Sequence, residues 1–446
     1  MNLFKTFIYA IVWTLVLLSN NIFYSKTRVR NRQKLKIKNP TIFVSNHPNT
    51  LLDPLMVALR MNKFVHFLIN ASLFKNAALA WFWRNSVGIK VERKEDTGGE
   101  RVNNEETFRF AEDFLMDGGV LYIAPEGGSD IPRRLRKLKT GTGRIALSTA
   151  NRMEFDGRLE ILPVGLNYEK QTNFRTKVFI NIGESIKISD YEKKYREDNF
   201  QAALDITAEM DKRIRELIID TKDNEEDAFL RKLETICQTE NKLPLGEAFD
   251  RGKKLLVEWR NFLEEKKQAA HGFSKQVNQY FSFLEKNKTR DHVVKKIHQS
   301  NSKLTWWLRS LVMILGFPIF VYGWVNNFLA NYIPAFIFKK MGLHPAYTSA
   351  VKILSGIFTY SIFYGIQIKL VKYFFDGNGV GWIYVASLII TGLFAWWYKD
   401  FAKDTWNGWR LFDNSKKEII ESFENRKDIV NILEGFLSPS LQVASS

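Results

Sequence analysis

Thr41-Ile42-Phe43-Val44-Ser45 is an apolar run of strand length, and Asn46-His47-Pro48-Asn49-Thr50-Leu51-Leu52-Asp53-Pro54 follows it directly. A short apolar run bounded by turn residues is typical of a buried strand. Open α/β sheets bind ligands at the carboxyl ends of their strands, which is where His47 stands. His47 and Asp53 are six positions apart and cannot share a helical face, so we expect Pro48–Leu52 to turn the chain back. The sequence therefore predicts a His–Asp pair at the edge of a sheet.

Further strand and helix patterns follow in alternation. Apolar runs of strand length occur at Val120–Ala124, Leu159–Leu166 and Val178–Ile182. Helical patterns occur at Glu105–Met116 and Thr142–Ala150. Strands alternating with helices predict an α/β fold, with a mostly parallel twisted sheet flanked by helices.

The composition restricts the class of protein. The chain has 446 residues, 45% of them hydrophobic, and a formal charge of +17. The length predicts two or three structural units, and the hydrophobic content excludes wholesale disorder. The charge calls for an anionic partner: nucleic acid, anionic lipid or a phosphorylated substrate. Nucleic acid is disfavoured because the basic residues cluster beside apolar segments and no DNA- or RNA-binding motif is recognisable.

Cysteine and histidine usage gives no sign of a metal site. Cys237 is the only cysteine, which excludes an intrachain disulfide and multi-cysteine zinc or iron–sulfur sites. The six histidines are scattered, and no two have the spacing of a helical metal site. We expect no metal.

The N-terminal segment resembles a membrane anchor. Thr6–Ser25 is uncharged, mostly apolar and about long enough to span a bilayer. Ser19-Asn20-Asn21 offers no small-x-small cleavage site, which disfavours a signal peptide. Basic residues follow at once: Lys26, Arg28, Arg30, Arg32, Lys34, Lys36 and Lys38. We predict an uncleaved anchor whose basic flank lies against anionic headgroups on the cytoplasmic face.

Strand patterns end near Asp190, and charged amphipathic stretches take over. They are clearest at Gln201–Ile219, Glu226–Thr239 and Gly246–Glu264. Apolar residues at helical spacing, with charges between them, predict helices with solvated polar faces. This region is therefore expected to be a helical insertion or bundle.

The last third of the chain is membrane-like, beginning with the uncharged residues 310–338. This run is too long for one untilted span, at about 1.5 Å rise per residue against about 30 Å of hydrocarbon. A single crossing would put its flanking regions on opposite sides of the membrane. We therefore predict a re-entrant or interfacial segment broken near Pro318 or Asn326, with a single tilted span as the alternative.

Two more apolar stretches, residues 353–375 and 377–398, are joined by the turn sequence Asp376-Gly377-Asn378-Gly379. Lysines lie on both sides of the pair, which predicts a membrane hairpin with cytoplasmic ends. The tail after Leu411 has a soluble, helical pattern.

These patterns divide the chain into five regions. They are an N-terminal membrane anchor with its basic flank (1–34), an α/β domain (35–190), a helical region (191–303), membrane-embedded segments (304–400) and a soluble C-terminal tail (401–446).

His47 and Asp53 are residue types that together perform general base catalysis. Histidine can be neutral near pH 7 and accept a proton from an alcohol. A carboxylate on its other ring nitrogen fixes the tautomer and stabilises the imidazolium, as in a Ser-His-Asp arrangement without the serine. Alone, such a pair is more often structural than catalytic.

Three later segments are suited to a phosphorylated ligand. The segment Gly88–Lys94 contains Arg93, whose guanidinium can hold phosphate with two hydrogen bonds. Pro125-Glu126-Gly127-Gly128-Ser129 follows the strand pattern Val120–Ala124, and its glycines allow close backbone approach to a ligand. Leu138-Lys139-Thr140-Gly141 offers a cation and free amides at a helix start. Each segment alone is typical of a surface loop, whereas all of them in this order favour a site.

With these segments the chain resembles the glycerophospholipid acyltransferase superfamily, which includes glycerol-3-phosphate and 1-acylglycerol-3-phosphate (lysophosphatidic acid) O-acyltransferases. The resemblance covers about residues 35–190. The four family motifs look like Asn46-His47…Asp53, Gly88…Arg93, Pro125-Glu126-Gly127 and Leu162-Pro163-Val164, in that order.

The resemblance implies a membrane-bound O-acyltransferase of phospholipid biosynthesis. It implies that His47, oriented by Asp53, deprotonates the acceptor hydroxyl, which attacks an acyl thioester of CoA or acyl carrier protein. No covalent acyl-enzyme, cofactor or metal is needed. The lipid bilayer is the expected partner, with the active site of this integral membrane protein facing the cytoplasm.

The resemblance also implies binding roles. Arg93, Glu126 and Gly127 are expected to position the glycerol-phosphate acceptor, and Lys139 is a further candidate for its phosphate. Pro163 is expected on the acyl-donor side.

The motifs depart from the usual family pattern in two places. Five residues separate His47 from Asp53 where four are usual, and the third motif reads Glu-Gly-Gly-Ser instead of Glu-Gly-Thr-Arg. The longer spacing resembles fungal-type glycerol-3-phosphate/dihydroxyacetone-phosphate acyltransferases, which favours first-step acylation over acylation of lysophosphatidic acid. Lysophospholipid remodelling stays open as an alternative. An inactive membrane tether is disfavoured because His47, Asp53 and Glu126 are all present.

Overall fold

The computed structural model describes residues 3–74, 77, 80–81, 88–92, 104–299, 303–375, 377, 379–412 and 417–438. The chain divides into two compact units. The α/β unit comprises Met1–Lys222 and Met341–Ile353, and the helical unit comprises Asp223–Lys340 and Leu354–Ser446.

The described strands of the α/β unit form one eight-stranded sheet in the order β1-β7-β6-β2-β5-β3-β4, with β8 also paired to β6. Among these strands, β7 and β8 run antiparallel to β6, and the other pairs are parallel. The strands are β1 (Tyr24–Arg30), β2 (Thr41–Ser45), β3 (Val65–Asn70), β4 (Gly88–Val91), β5 (Val120–Ile123), β6 (Glu160–Tyr168), β7 (Thr176–Ile182) and β8 (Ile186–Lys187). The predicted mostly parallel sheet is confirmed.

Helices cover this sheet on both faces. The described helices in this part of the chain are α1 (Leu3–Phe23), α2 (Leu52–Ala58), α3 (Glu105–Met116), α4 (Gly141–Arg152), α5 (Glu192–Glu197) and α6 (Asn199–Leu217). Ile42 and Val44 of β2 belong to one apolar cluster, with side chains from α3, α4 and α6. Phe43 belongs to the cluster on the other face, with side chains from α2. Because both faces of β2 are buried, its sequence is continuously apolar.

β1 is a strand that the sequence analysis did not predict. We assigned the basic residues after Ser25 to an anchor flank, yet Lys26, Arg28 and Arg30 lie in an edge strand parallel to β7. Charged side chains are common on edge strands because they discourage pairing with another chain. The frequent basic residues hid the strand pattern of this segment. The preceding helix α1 begins at Leu3 and ends at Phe23, close to the predicted bounds.

After residue 222 the chain contains further helices, and the predicted stretches Glu226–Thr239 and Gly246–Glu264 correspond to two of them, whereas Gln201–Ile219 corresponds to α6 of the α/β unit. The helices are α7 (Asn224–Glu240), α8 (Leu245–Glu265), α9 (Lys267–Lys286), α10 (Asp291–Gln299), α11 (Lys303–Met341), α12 (Thr348–Phe374), α13 (Val380–Phe412) and α14 (Lys417–Leu437).

The predicted break near Pro318 or Asn326 is wrong, because α11 runs unbroken through both residues. The asparagines are accommodated inside the helix. Asn326 Nδ2 donates to the carbonyl of Tyr322 (2.8 Å), and Asn327 Nδ2 donates to that of Gly323 (2.9 Å). Side-chain hydrogen bonds to a carbonyl one turn earlier satisfy these amides without opening the helix.

Three described helices are long and apolar enough to cross a membrane: Lys303–Met341, Pro345–Phe374 and Val380–Phe412. Asn327 in α11 links them, because its Nδ2 donates to the carbonyl of Leu388 in α13 (3.1 Å) and its Oδ1 accepts from the hydroxyl of Tyr364 in α12 (2.7 Å). Such polar contacts bind helices together where lipid supplies no hydrophobic driving force.

The chain segments on either side of these three helices pack against each other within the helical unit. Arg426 of α14 pairs with buried Asp291 of α10, with Nε 2.7 Å from Oδ1. The Phe436 ring of α14 lies 5.3 Å from that of Phe262 in α8. From this packing we predict that, in a bilayer, the chain enters and leaves α11–α13 on the same side, so that these helices make an even number of crossings.

The even number of membrane crossings can be tested with single cysteines, because Cys237→Ser yields a cysteine-free background. In sealed vesicles, we expect Gln299→Cys and Ser438→Cys to react with an impermeant maleimide from the same side. Gly377→Cys, at the turn of the predicted α12–α13 hairpin, should react only from the opposite side. Labelling of positions 299 and 438 from opposite sides would mean an odd number of crossings.

Candidate active site

His47 lies in a loop that leaves the sheet at the carboxyl end of β2. The preceding residue, Asn46, fixes the start of this loop against β6. Its Nδ2 donates to the carbonyl of Leu166 (2.9 Å), and its Oδ1 accepts from the amide of the same residue (2.8 Å). Ser45 ends β2 fully buried, with its hydroxyl 2.7 Å from that of Tyr122.

Asp53 orients the His47 ring. His47 Nδ1 lies 3.0 Å from Asp53 Oδ2, and the Asp53 side chain is completely buried whereas that of His47 retains 14% exposure. The same Oδ2 accepts the amide N–H of Asn49 at 2.6 Å. A carboxylate in this position can accept a proton-bearing Nδ1, which leaves Nε2 as the ring nitrogen available to accept a proton. The predicted pair is therefore brought together in a geometry suited to a base.

The residues between His47 and Asp53 form a tight turn. The amide of Leu52 donates to the carbonyl of Asn49 (3.0 Å), and that of Asp53 donates to the carbonyl of Thr50 (3.3 Å). Thr50 has a φ of 43°, a left-handed value that few non-glycine residues adopt. Asp53 consequently falls in the first turn of α2, where the helix dipole favours a carboxylate. The predicted reversal of the chain is confirmed.

Two buried tyrosines complete the surroundings of Asp53. The Tyr168 hydroxyl donates to Asp53 Oδ1 at 2.7 Å, and Asn49 Nδ2 donates to the Tyr24 hydroxyl at 2.8 Å. Burial, reinforced by the Asp53 carboxylate, raises the pKa of Tyr168, so this hydroxyl stays protonated and remains a donor.

Sequence reasoning missed both tyrosines. Tyr168 stands two residues beyond the predicted strand Leu159–Leu166, at the edge that carries His47, so its position was available as a signal. Tyr24 had no such signal, because it begins the unpredicted strand β1.

Glu126 joins the loop after β5 to the loop of His47. Its Oε1 accepts the amide N–H of His47 (2.7 Å), and its Oε2 accepts the amide (3.1 Å) and Nε (3.3 Å) of Arg136. Burial raises the pKa of Glu126, and the hydrogen bonds from Arg136 and His47 oppose that rise. Its predicted contact with the acceptor stays a prediction; the contacts seen here position the backbone of His47.

Two cationic side chains lie over the paired glycines after Glu126. Gly127 has a φ of 68°, and a Cβ added there would stand 2.8 Å from Cε of Lys139. A Cβ added to Gly128 would stand 2.7 Å from Nη2 of Arg136. A side chain at either position would push the end of the cationic side chain aside, so glycine allows the cations to approach the backbone this closely.

Arg136 is a candidate binding residue that sequence reasoning missed. Its Nη2 is buried and has no hydrogen-bond partner among the described residues. A buried guanidinium nitrogen without an acceptor is costly, and an anionic ligand would relieve that cost. Arg136 belongs to the run Arg133-Arg134-Leu135-Arg136-Lys137, and in sequence such a basic run is typical of a solvated surface. The sequence therefore gave no signal that singles out Arg136 from its neighbours.

The remaining predicted residues lie elsewhere. Pro163 is buried inside β6, where its register partner is Val44 of β2 and its carbonyl accepts the amide N–H of Gly183 (2.9 Å). It is therefore part of the sheet behind the His47 loop, and its donor-side role stays a prediction. Arg93 lies outside the described residues.

A small cavity, partly open to solvent, lies beside the His47 loop. Asn46, Pro48 and Tyr168 line it on the side of the loop. Ile131 and Ile218 are also among its lining residues. The cavity therefore offers both apolar and polar surface beside the two chain neighbours of His47.

No group of three or more His, Cys, Asp or Glu side chains that could hold a metal ion occurs within the part of the chain that the structure describes. The described residues place the His47 ring beside a carboxylate, hydrogen-bond donors and cations.

Comparison with known proteins agrees with the motifs. Residues 26–167 match the family model described as Acyltransferase. The match lies within the region of the predicted motifs, and it confirms the predicted resemblance to acyltransferases.

Two relatives from Saccharomyces cerevisiae are named for one activity. Glycerol-3-phosphate O-acyltransferase 2 is 24% identical over 227 residues, which cover 50% of this chain and 30% of the relative. Glycerol-3-phosphate O-acyltransferase 1 is 24% identical over 275 residues, which cover 58% of this chain and 35% of the relative. The chain thus spans about a third of the length of these relatives.

Among solved structures, the chain is similar to the 1-acyl-sn-glycerophosphate acyltransferase PlsC from Thermotoga maritima. The TM-score is 0.32 and the sequence identity 18%, over 47% of this chain and 82% of that one.

The close approach of Lys139 to Gly127 can be tested by stability. Gly127→Ala should cost more than Gly157→Ala, because both have positive φ but only Gly127 has a side chain against it. The left-handed backbone alone should cost about 1–2 kcal/mol at each position. Thermal unfolding of the detergent-solubilised protein gives the comparison. Equal losses in the two variants would show that Lys139 imposes no constraint.

Proposed function

We propose that this protein is an O-acyltransferase that moves a fatty acyl group from a thioester to a hydroxyl of a glycerol-phosphate acceptor, glycerol 3-phosphate or dihydroxyacetone phosphate. The observation that carries the proposal is the His47–Asp53 pair, with Nδ1 held 3.0 Å from the buried carboxylate. The family of the domain and the names of the two yeast relatives support it.

His47 acts as the general base in this proposal. Nε2 takes the proton of the acceptor hydroxyl as the oxygen attacks the thioester carbon. The C–S bond breaks when the tetrahedral intermediate collapses. The departing thiolate takes the proton from His47 and leaves as a thiol, which returns His47 to its neutral form. Asp53 stabilises the imidazolium in between, and Tyr168 and the Asn49 amide hold Asp53 in place.

The cations over Gly127 and Gly128 are proposed to bind the acceptor phosphate. Arg136 Nη2 lies over Gly128 and is buried without an acceptor among the described residues. The Lys139 side chain lies over the neighbouring Gly127. Glu126 ties this turn to the backbone of His47, which keeps the phosphate site in register with the base. Arg93 is retained as a further acceptor-binding candidate from the motif pattern alone.

The acyl donor is proposed to be acyl-CoA or an acyl carrier protein thioester, without a further cofactor or metal. The reacting groups of the substrates, a thioester and an alcohol, and of the products, an ester and a thiol, are all uncharged. The reaction therefore needs a proton to be removed from the alcohol and given to the thiolate, which His47 can do.

The protein is proposed to be embedded in a lipid bilayer, with its active site on the cytoplasmic side. The three apolar helices α11–α13 support membrane insertion. The basic residues that flank the apolar segments support the orientation, because cytoplasmic flanks are enriched in lysine and arginine.

Substitution of the pair tests the mechanism. His47→Ala should abolish acyl transfer, and Asp53→Asn should lower kcat on the order of 10³-fold, because the ring loses the carboxylate that fixes its tautomer. Tyr168→Phe removes one of three donors to Asp53 and should cost about tenfold. Initial rates of purified protein in nanodiscs measure this, with circular dichroism as the folding control. Near-normal turnover of His47→Ala would exclude the proposed base.

The phosphate site is tested by neutral substitutions and an acceptor panel. Arg136→Gln and Lys139→Gln should each raise the acceptor KM by about 10–100-fold, since a charged hydrogen bond contributes about 1.5–3 kcal/mol. Arg134→Gln and Lys137→Gln remove the same charge nearby and serve as matched controls.

The panel crosses glycerol 3-phosphate, dihydroxyacetone phosphate, lysophosphatidic acid and a lysophospholipid with CoA and carrier-protein donors. Preference for lysophosphatidic acid or the lysophospholipid would replace the proposed acceptor. An unchanged KM in the Arg136 and Lys139 variants would exclude them from the phosphate site.

A further inference from the structure

We propose that residues 344–353, which connect α11 to α12 and form its first turns, position the catalytic loop between Asn46 and Asp53. We call this segment the strap. It belongs to the α/β unit, although 296 positions separate Thr50 of the loop from Ala346 of the strap. Its catalytic consequence rests on the proposed function, whereas its effect on loop geometry does not.

The first contact holds the turn of the loop. The Thr50 hydroxyl donates to the carbonyl of Ala346 at 3.3 Å, and both residues are buried. Thr50 is also the residue with the left-handed φ of 43°. A non-glycine residue keeps such a conformation only where its surroundings hold it, and Ala346 is one of those surroundings.

The second contact leads to Asn49, whose backbone amide donates to Asp53. The Ser349 hydroxyl, fully buried, donates to the carbonyl of Gln171. The same carbonyl accepts from Asn49 Nδ2 at 3.4 Å. The backbone amide of Asn49 in turn donates to Asp53 Oδ2 at 2.6 Å. Ser349 is thus linked through Gln171 and Asn49 to the carboxylate that orients His47.

The third contact is apolar. Ala350 and Ile353 of the strap are buried in the same cluster as Tyr24 and Tyr168, the tyrosines beside Asp53. Removing the strap would expose this side of the cluster. The apolar side chains of the strap and its hydrogen bonds therefore both stabilise the surroundings of Asp53.

These contacts make the strap a positioning element and not a catalytic one, since none of them involves the His47 ring. Catalysis by a base depends on placement, and a displacement of about 1 Å can cost about 10²-fold in rate. Because the strap includes the first turns of α12, a helix apolar enough to cross a membrane, the loop makes its hydrogen bonds to the start of that helix and to the residues just before it.

The first test measures the loop itself, without reference to activity. In full-length protein in nanodiscs, hydrogen–deuterium exchange of peptides covering residues 46–53 should rise at least several-fold in Ser349→Ala and in Thr50→Val. Thr50→Ser, which keeps the hydroxyl, should restore slow exchange. Ser361→Ala removes an exposed hydroxyl that donates to Ile357 within α12 and is the matched control. Unchanged exchange in both Ser349→Ala and Thr50→Val would overturn the proposal.

The second test separates positioning from loss of folded protein. Ser349→Ala should lower kcat about tenfold, equivalent to about 1.4 kcal/mol, with the acceptor KM little changed. It should also displace the acid limb of the kcat–pH profile, because the surroundings of the His47–Asp53 pair change. A loss of activity that only follows the folded fraction, with the same pH profile, would overturn the catalytic role of the strap. An inactive wild type would instead contradict the proposed function, and the exchange experiment would still decide whether the strap holds the loop.

Discussion

Asp53 is a completely buried carboxylate, and the arrangement of the catalytic loop follows from the hydrogen-bond donors that it requires. Burying a carboxylate is costly unless donors replace its water. Here the donors are the ring of His47, the amide of Asn49 and the hydroxyl of Tyr168. Because these groups come from the loop and from the end of β6, satisfying one carboxylate brings the His47 ring, the turn and the sheet edge into one fixed arrangement.

The parallel sheet is what makes this arrangement possible. β2, β5 and β6 run in the same direction, so the residues after them meet at one edge. Glu126, which follows β5, accepts a hydrogen bond from the backbone of His47, which follows β2. The same carboxylate also pairs with Arg136. A second buried carboxylate thus connects the proposed base to the cations proposed to bind phosphate. The two acidic residues have different tasks: Asp53 orients the ring, and Glu126 places the backbone.

Much of this was readable from the sequence because its signals are local. The strand of Thr41–Ser45 has its predicted bounds, and the turn that returns Asp53 to His47 was required by their spacing. The polar strand β1 could not be predicted from the sequence. It is held as a strand by pairing with β7, and its own residues do not have a strand pattern. The break predicted at Asn326 failed for a related reason: whether an amide opens a helix depends on which carbonyl it finds.

The sequence by itself determined the α/β class, the His47–Asp53 pair, the family resemblance and the apolar helices, because hydrophobic periodicity and motif spacing are properties of neighbouring residues. Only the tertiary structure decided that Tyr24 and Tyr168 surround Asp53, that Arg136 lies over Gly128 and that residues 344–353 pack beside the catalytic loop. These relations join residues far apart in the chain. They arise because a buried polar group takes its partners from whatever the fold places near it, and sequence order does not encode that proximity.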